Sequence, residues 1–138
     1  MLVIWDHFAR SQILPVRILI VDDSAIARRS IRVLLHSFEI CGEATDGREG
    51  IAKVLELKPD ICLMDINMPV MSGIQAAAEI RRLSPATKIV FLSLYDTSPV
   101  RNNTRKFDGF VSKPAAGTEL IPLLNSLTGM DGNRSEVA

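Results

Sequence analysis

Apolar residues fall along this chain in two alternating rhythms. The first is the short, nearly unbroken run. Residues 16–21, Ile61–Met64 and Lys88–Ser93 are such runs, each bounded by turn residues. Runs of this kind predict strands buried on both faces. Glu39–Ala44 and Gly109–Ser112 add two short strands. The second rhythm is helical. Ala27, Ile31, Leu34, Leu35 and Phe38 recur at helical spacing after a cap at Asp23 or Ser24. Asp46 and Glu49 have capping-box spacing and open a second helix, which buries Ile51, Val54 and Leu55 and stops at Lys58-Pro59. Ser72-Gly73 opens a third, with Ile74, Ala77 and Ala78 inward and Ser84-Pro85 at its end. Ser98-Pro99 offers a cap for a fourth, which Asn102, Asn103 and Thr104 weaken. Thr118 caps a fifth, with Pro122 in its first turn and Leu120, Leu124 and Leu127 inward. Strands that alternate with helices in this way form a mostly parallel sheet with helices on both faces, an α/β fold.

The pattern also divides the chain. Residues 1–15 match no period and form an extension. Residues 16–127 form a single domain, and residues 128–138 a polar tail expected to fray. Composition narrows the function classes. Sixteen basic residues balance sixteen acidic ones, so no nucleic-acid-binding or membrane surface is expected. No run reaches the ~20 apolar residues of a membrane span. Asp6, His7 and Arg10 interrupt the apolar start, which does not read as a signal peptide. A cytoplasmic protein is the default. Cys41 and Cys62 lie in apolar stretches and read as two buried, inert thiols in a reducing compartment.

The ligand-binding crevice of an open parallel sheet lies at the carboxyl ends of its strands. Asp22 and Asp23 follow the first strand, Asp65 the third, Ser93 the fourth and Lys113 the fifth. Three carboxylates crowded together repel, and a hard divalent cation relieves that repulsion. Mg²⁺ takes oxygen ligands, few of them from protein. With such an ion present, Asp65 has the chemistry of a carboxylate nucleophile toward phosphorus, forming an acyl phosphate. Lys113 would neutralise charge on the transferring group, and Ser93 would donate a hydrogen bond to it.

With those residues placed, the sequence resembles a response-regulator receiver domain of two-component signalling. The resemblance rests on Asp22-Asp23, on Met64-Asp65-Ile66-Asn67-Met68-Pro69 with Gly73 eight positions after the aspartate, on Ser93, and on Phe110 with Lys113-Pro114. Each motif alone is weak; their order and spacing together are specific. The resemblance implies a flavodoxin-like, doubly wound (βα)5 sheet of order 2-1-3-4-5. It implies phosphorylation of Asp65 by a sensor histidine kinase or phosphotransfer protein. It implies Mg²⁺ on Asp23, Asp65 and the backbone carbonyl of Asn67, with Asp22 acting through water. Ser93 and Phe110 would be a switch pair, Lys113-Pro114 a cis peptide, and a homodimer a product of phosphorylation.

The stretch from Gly42 to Glu49 is most similar to the branch whose receivers feed a helix-turn-helix output domain regulating transcription. Eleven residues follow Leu127, so a stand-alone receiver, a truncation and a fragment all remain open. From Ser93 to Lys113 the chain is about two residues shorter than the family pattern, with Lys106-Phe107 in place of the usual Gly-Ala. The fourth helix is therefore expected to be short or distorted. Arg28, Arg29 and Arg32 read as a solvated helix face, with kinase docking as the functional alternative. His7 and His36 lack partners at ligand spacing and read as incidental. Three other functions compete: a Mg²⁺-dependent phosphohydrolase with an aspartyl nucleophile, a nucleotide- or flavin-binding domain of the same topology, which wants glycines where this chain has Asp22-Asp23, and a receiver-like interaction module that is not phosphorylated. A dehalogenase-type phosphohydrolase wants an acid two residues after its nucleophile, where this chain has Asn67.

Overall fold

The computed structural model describes residues 15–129. The expected extension up to residue 14, His7 included, and most of the expected tail lie outside the described residues. The elements run β1 (Arg17–Val21), α1 (Ala25–Leu34), β2 (Glu39–Ala44), α2 (Gly47–Leu57), β3 (Ile61–Met64), α3 (Gly73–Leu83), β4 (Lys88–Ser93), α4 (Ser98–Thr104), β5 (Gly109–Ser112) and α5 (Ala116–Thr128). A 3₁₀ turn, Lys113–Ala115, joins β5 to α5. All pairings are parallel and the strand order is β2-β1-β3-β4-β5. This is the doubly wound sheet of the expected order. Among the described residues no helix is long and apolar enough to cross a membrane.

Strand periodicity explains the two layers. Ile18 and Ile20 point to one side of β1, Leu19 and Val21 to the other, and all four are buried. The first pair joins Ile31 of α1, Leu35 at its C-terminal cap, and Leu120 and Leu124 of α5. The second joins Val54 of α2 and Ala76, Ala77 and Ile80 of α3, with Val100 of α4 packed on the edge. Every residue of β3 is buried. A strand closed on both faces holds whatever follows it firmly, and Asp65 follows it.

Several helix details differ from expectation. Leu55 is 48% exposed, and Leu57 packs inward instead. At 100° per residue, Leu57 and Ile51 share the face of Val54, and Leu55 turns away from it. In α3 the buried alanines are Ala76 and Ala77, and Ala78 faces out. Thr97, not Ser98, caps α4 through a bond from the Val100 amide. That helix has seven residues, as short as the missing length demands. Thr118 does not cap α5, because the 3₁₀ turn has already started the helix at Ala116, and Pro122 lies inside it. Thr118 and Pro122 both face solvent, so water can take the bond that proline cannot donate. Peptide bonds among the described residues are all trans, Lys113–Pro114 included, which corrects the expected cis bond. The trans form carries Pro114 into the first turn of the 3₁₀ segment, where its fixed φ suits the helix and its missing N–H leaves no bond unmade. Cys62 is buried and Cys41 only partly so; both are free. Burial pushes the Cys62 thiol up to about 12, which keeps it inert.

Candidate functional site: an acidic pocket at the sheet edge

Parallel strands β1 and β3 are neighbours, so the residues just beyond them meet. The Asp65 amide donates to the Val21 carbonyl at 2.9 Å, and the Asp22 amide to the Ala44 carbonyl at 3.0 Å. These two bonds extend the ladder by one step and fix both aspartates at the rim. Asp22 is 2% exposed and Asp65 8%, whereas Asp23 faces solvent. Carboxylate oxygens of Asp22, Asp23 and Asp65 all lie within 4.8 Å of one another.

Lys113 enters from the end of β5. Its Nζ lies 2.7 Å from Asp22 Oδ2 and 3.7 Å from Asp65 Oδ2. The lysine thus grips Asp22 and only leans toward Asp65. The other Asp22 oxygen accepts from the Ser24 amide at 2.9 Å. Asp65 Oδ1 accepts from the Ile66 amide at 2.9 Å. Burial, then the nearby Asp22, raise the Asp65 carboxyl from 3.8 to about 6, against the pull of Lys113 and the Ile66 amide. Three carboxylates against one ammonium leave a net negative pocket. Hard oxygen donors, two buried and one open to solvent, fit a small divalent cation that keeps some of its water.

The loop after β3 shapes this pocket from below. The Gly73 amide donates to the Ile66 carbonyl at 2.8 Å, bringing the start of α3 back against Asp65. A Cβ on Gly73 would stand 1.8 Å from the Asp65 carbonyl oxygen. Only glycine permits that approach. Ser72 and Gln75 then close a capping box on α3. Asn67 is exposed in this loop, one residue beyond the buried Ile66. Val70 takes φ 71, an unusual left-handed conformation for a β-branched residue.

Ser93 is fully buried at the end of β4, and its Oγ accepts from the Tyr95 amide at 3.2 Å. Phe110 is half-buried on β5 beside β4, where Phe91 pairs with it in register. The Arg101 guanidinium of α4 lies 4.2 Å from the centre of its ring, and Arg101 also pairs with Asp96 at 2.6 Å. So the sequence-predicted residues divide into two groups. Asp22, Asp23, Asp65 and Lys113 share one pocket; Ser93 and Phe110 sit on the adjoining β4–β5 edge.

A model of the response regulator receiver domain matches residues 18–125. The chain belongs to the receiver family. Among curated relatives, the chemotaxis protein CheY of Thermotoga maritima is 38% identical over 116 residues, covering 81% of this chain and 97% of that protein. A protein-glutamate methylesterase/protein-glutamine glutaminase of Hahella chejuensis is 35% identical over 128 residues, covering 90% of this chain; the match spans only 30% of that longer enzyme. Among solved structures, the response regulator TrrA of Thermotoga maritima in complex with Mg²⁺-BeF is 31% identical with a TM-score of 0.74, covering 81% of this chain and 98% of that one. A LuxR-family two-component response regulator from Aurantimonas is 25% identical with a TM-score of 0.79, covering 88% and 94%. A LuxR-family response regulator is thus among the structural neighbours, and a chemotaxis protein among the sequence relatives.

One arginine departs from its sequence reading. Arg28 is not part of a solvated face. Its Nη1 donates to the Asp22 carbonyl at 2.8 Å and its Nε to Glu43 at 2.6 Å, and Arg32 pairs with the same glutamate. Burial alone would raise the Glu43 carboxyl, but hydrogen bonds from Arg32 and Arg28 outweigh it and hold the group below its usual range. The signal available in the sequence was Glu43 at the end of a strand adjoining β1, with a basic residue one turn into α1.

Proposed function

We propose that this receiver takes a phosphoryl group on Asp65 from a histidine kinase or phosphotransfer protein. The observation that carries this reading is the Asp65 carboxylate at the end of the fully buried β3, among Asp22, Asp23 and Lys113. An Asp65 oxygen attacks phosphorus; the bond from phosphorus to the donor nitrogen breaks, and its electron pair leaves with the donor imidazole. Asp23, Asp65 and the Asn67 backbone carbonyl would hold Mg²⁺, with Asp22 reaching it through water. Bound there, the ion would offset the pocket's negative charge and the charge on the transferring phosphoryl oxygens. Lys113, now on Asp22, is close enough to follow a phosphoryl oxygen on Asp65. Ser93 accepts a bond from the Tyr95 amide, so its hydroxyl proton can be donated to that oxygen.

The switch pair is then Ser93 and Phe110, read out on the β4–α4–β5 face. The domain is residues 16–127, cytoplasmic, with no direct contact to nucleic acid or membrane. Its outputs are a protein partner or a homodimer, with transcription regulated through a domain outside this chain. The domain is not an enzyme toward other substrates, though it assists its own phosphorylation and dephosphorylation. Intact mass after incubation with acetyl phosphate and Mg²⁺ tests the reading. One added phosphoryl group, labile to hydroxylamine and absent in Asp65→Asn, is expected. Full labelling of Asp65→Asn overturns the assignment, and turnover of a generic phosphomonoester revives the phosphohydrolase reading.

A further inference from the structure

Asp22 and Asp23 sit on a short turn between β1 and α1. The Asp22 carboxylate is already held on both oxygens, by Ser24 and Lys113. Its amide is tied to β2. The joint that decides where the exposed Asp23 carboxylate points is therefore the peptide linking the two aspartates. The carbonyl of that peptide belongs to Asp22, and it is the group that accepts from Arg28 Nη1 at 2.8 Å. The other edge of the same guanidinium is anchored on Glu43, which β2 holds beside Ile20 of β1. Arg32, one turn further along α1, braces Glu43 from its other oxygen.

We infer that Arg28 is a positioning residue for the acidic pocket: it clamps the Asp22–Asp23 peptide so that the Asp23 carboxylate stays converged with Asp22 and Asp65, ready for a divalent cation. The inference rests on the receiver reading of that pocket. Two features favour it over a plain surface ion pair. A charge-assisted bond to a carbonyl is stronger than a neutral one and fixes a plane rather than a side chain. Glu43 also lies between Arg28 and Arg32 and offsets one of their two positive charges, which reduces the repulsion an incoming cation feels. The geometry needs an arginine. One arm reaches Glu43 while the other reaches the carbonyl; a lysine nitrogen offers one point where the fork offers two.

The test compares Arg28→Met, Arg28→Lys and Arg32→Met in the full chain. Calorimetric titration with MgCl₂ gives the affinity, and amide hydrogen exchange in metal-free protein reports the turn itself. Removing a group that orients metal ligands weakens affinity about tenfold or more. Both Arg28 variants are expected to lose about that much Mg²⁺ affinity, with faster exchange at Asp23 and Ser24. Arg32→Met removes an ion pair from the same glutamate but touches no part of the turn, and its affinity and exchange should match wild type. Arg28→Lys keeps the charge and the stem, so it carries the comparison if Arg28→Met folds poorly. Unchanged affinity in the Arg28 variants overturns the inference, and so does an equal loss in Arg32→Met, which would assign the effect to Glu43. A wild-type chain that neither binds Mg²⁺ nor labels with acetyl phosphate would instead overturn the receiver reading, a different result from a wild type that does both while Arg28 is indifferent.

Discussion

Asp65 and Ser93 end neighbouring strands, yet the chain treats the two ends differently. Beyond β3 the backbone is pinned at each step. Asp65 bonds to β1, its carboxylate to Ile66, and Gly73 to Ile66, before a capping box opens an eleven-residue helix. Beyond β4 the restraints thin out. Leu94 and Tyr95 are 65% and 55% exposed, and a single threonine cap opens a helix of seven residues. Arg101 bridges this stretch, pairing with Asp96 on the loop and lying over Phe110 on β5. Phosphoryl chemistry needs groups held still, and signalling needs a surface that can be rearranged. On the proposed function, two adjacent strand ends would supply one each.

The largest effect should come from disturbing the pinned end. Gly73→Ala places a methyl group against the Asp65 carbonyl, so β3 or α3 must move. We expect a loss of at least about 2 kcal/mol in denaturant unfolding, with acetyl phosphate labelling falling in parallel. A substitution at Asn102, on the loose side, should leave both nearly unchanged.

Metal should act on the same end. At ten times its Kd, Mg²⁺ binding only the folded state adds about 1.4 kcal/mol, a rise of a few degrees in Tm. Asp23→Ala should lose that rise and, without metal, melt at or above the wild-type temperature, since one repelling charge is gone. A wild-type melting curve unmoved by 10 mM Mg²⁺, on the order of concentration a weak site needs, would show that the carboxylates do not form a cation pocket.

The pH dependence is smaller and has a definite sign. Asp65 is raised to about 6 in the folded protein. Its folded state holds a proton that the unfolded chain has lost, so its contribution to stability is full below the ordinary carboxylate pKa and is lost as pH rises through about 6. Metal-free protein should therefore gain stability from this group between pH 7 and pH 5, and Asp65→Asn should flatten that part of the profile. Glu43, held below its usual range, works the other way, and its stabilisation is lost only at lower pH. A proton on Asp65 also competes with Mg²⁺, so affinity should fall below pH 6.

The strands were legible because their cause is local. Ile61–Met64 and Lys88–Ser93 are apolar runs that no helix period explains, and both have the predicted bounds. The four charged pocket residues were legible because parallel topology sends every strand end to one edge. What escaped reading depends on contacts across the sequence. Lys113 lies nearer Asp22 than Asp65, a difference of tertiary placement that no spacing reveals. Arg28 bonds a backbone carbonyl, a partner with no residue type to recognise. The start of α5 was misplaced because a 3₁₀ turn, which has no strong sequence signature, brings the helix in ahead of Thr118.

Hydrogen exchange on the beryllofluoride-activated protein tests the contrast between the two strand ends most directly. With Mg²⁺ and beryllofluoride on Asp65, the proposed switch should draw Ser93 toward the new acceptor and let Phe110 turn into the space behind it. Exchange should change first and most across residues 93–112, while β1 and β3 stay protected as before. Ser93→Ala should bind the mimic and show a muted change over the same residues. Exchange that changes in α2 alone, with residues 93–112 silent, would contradict the account.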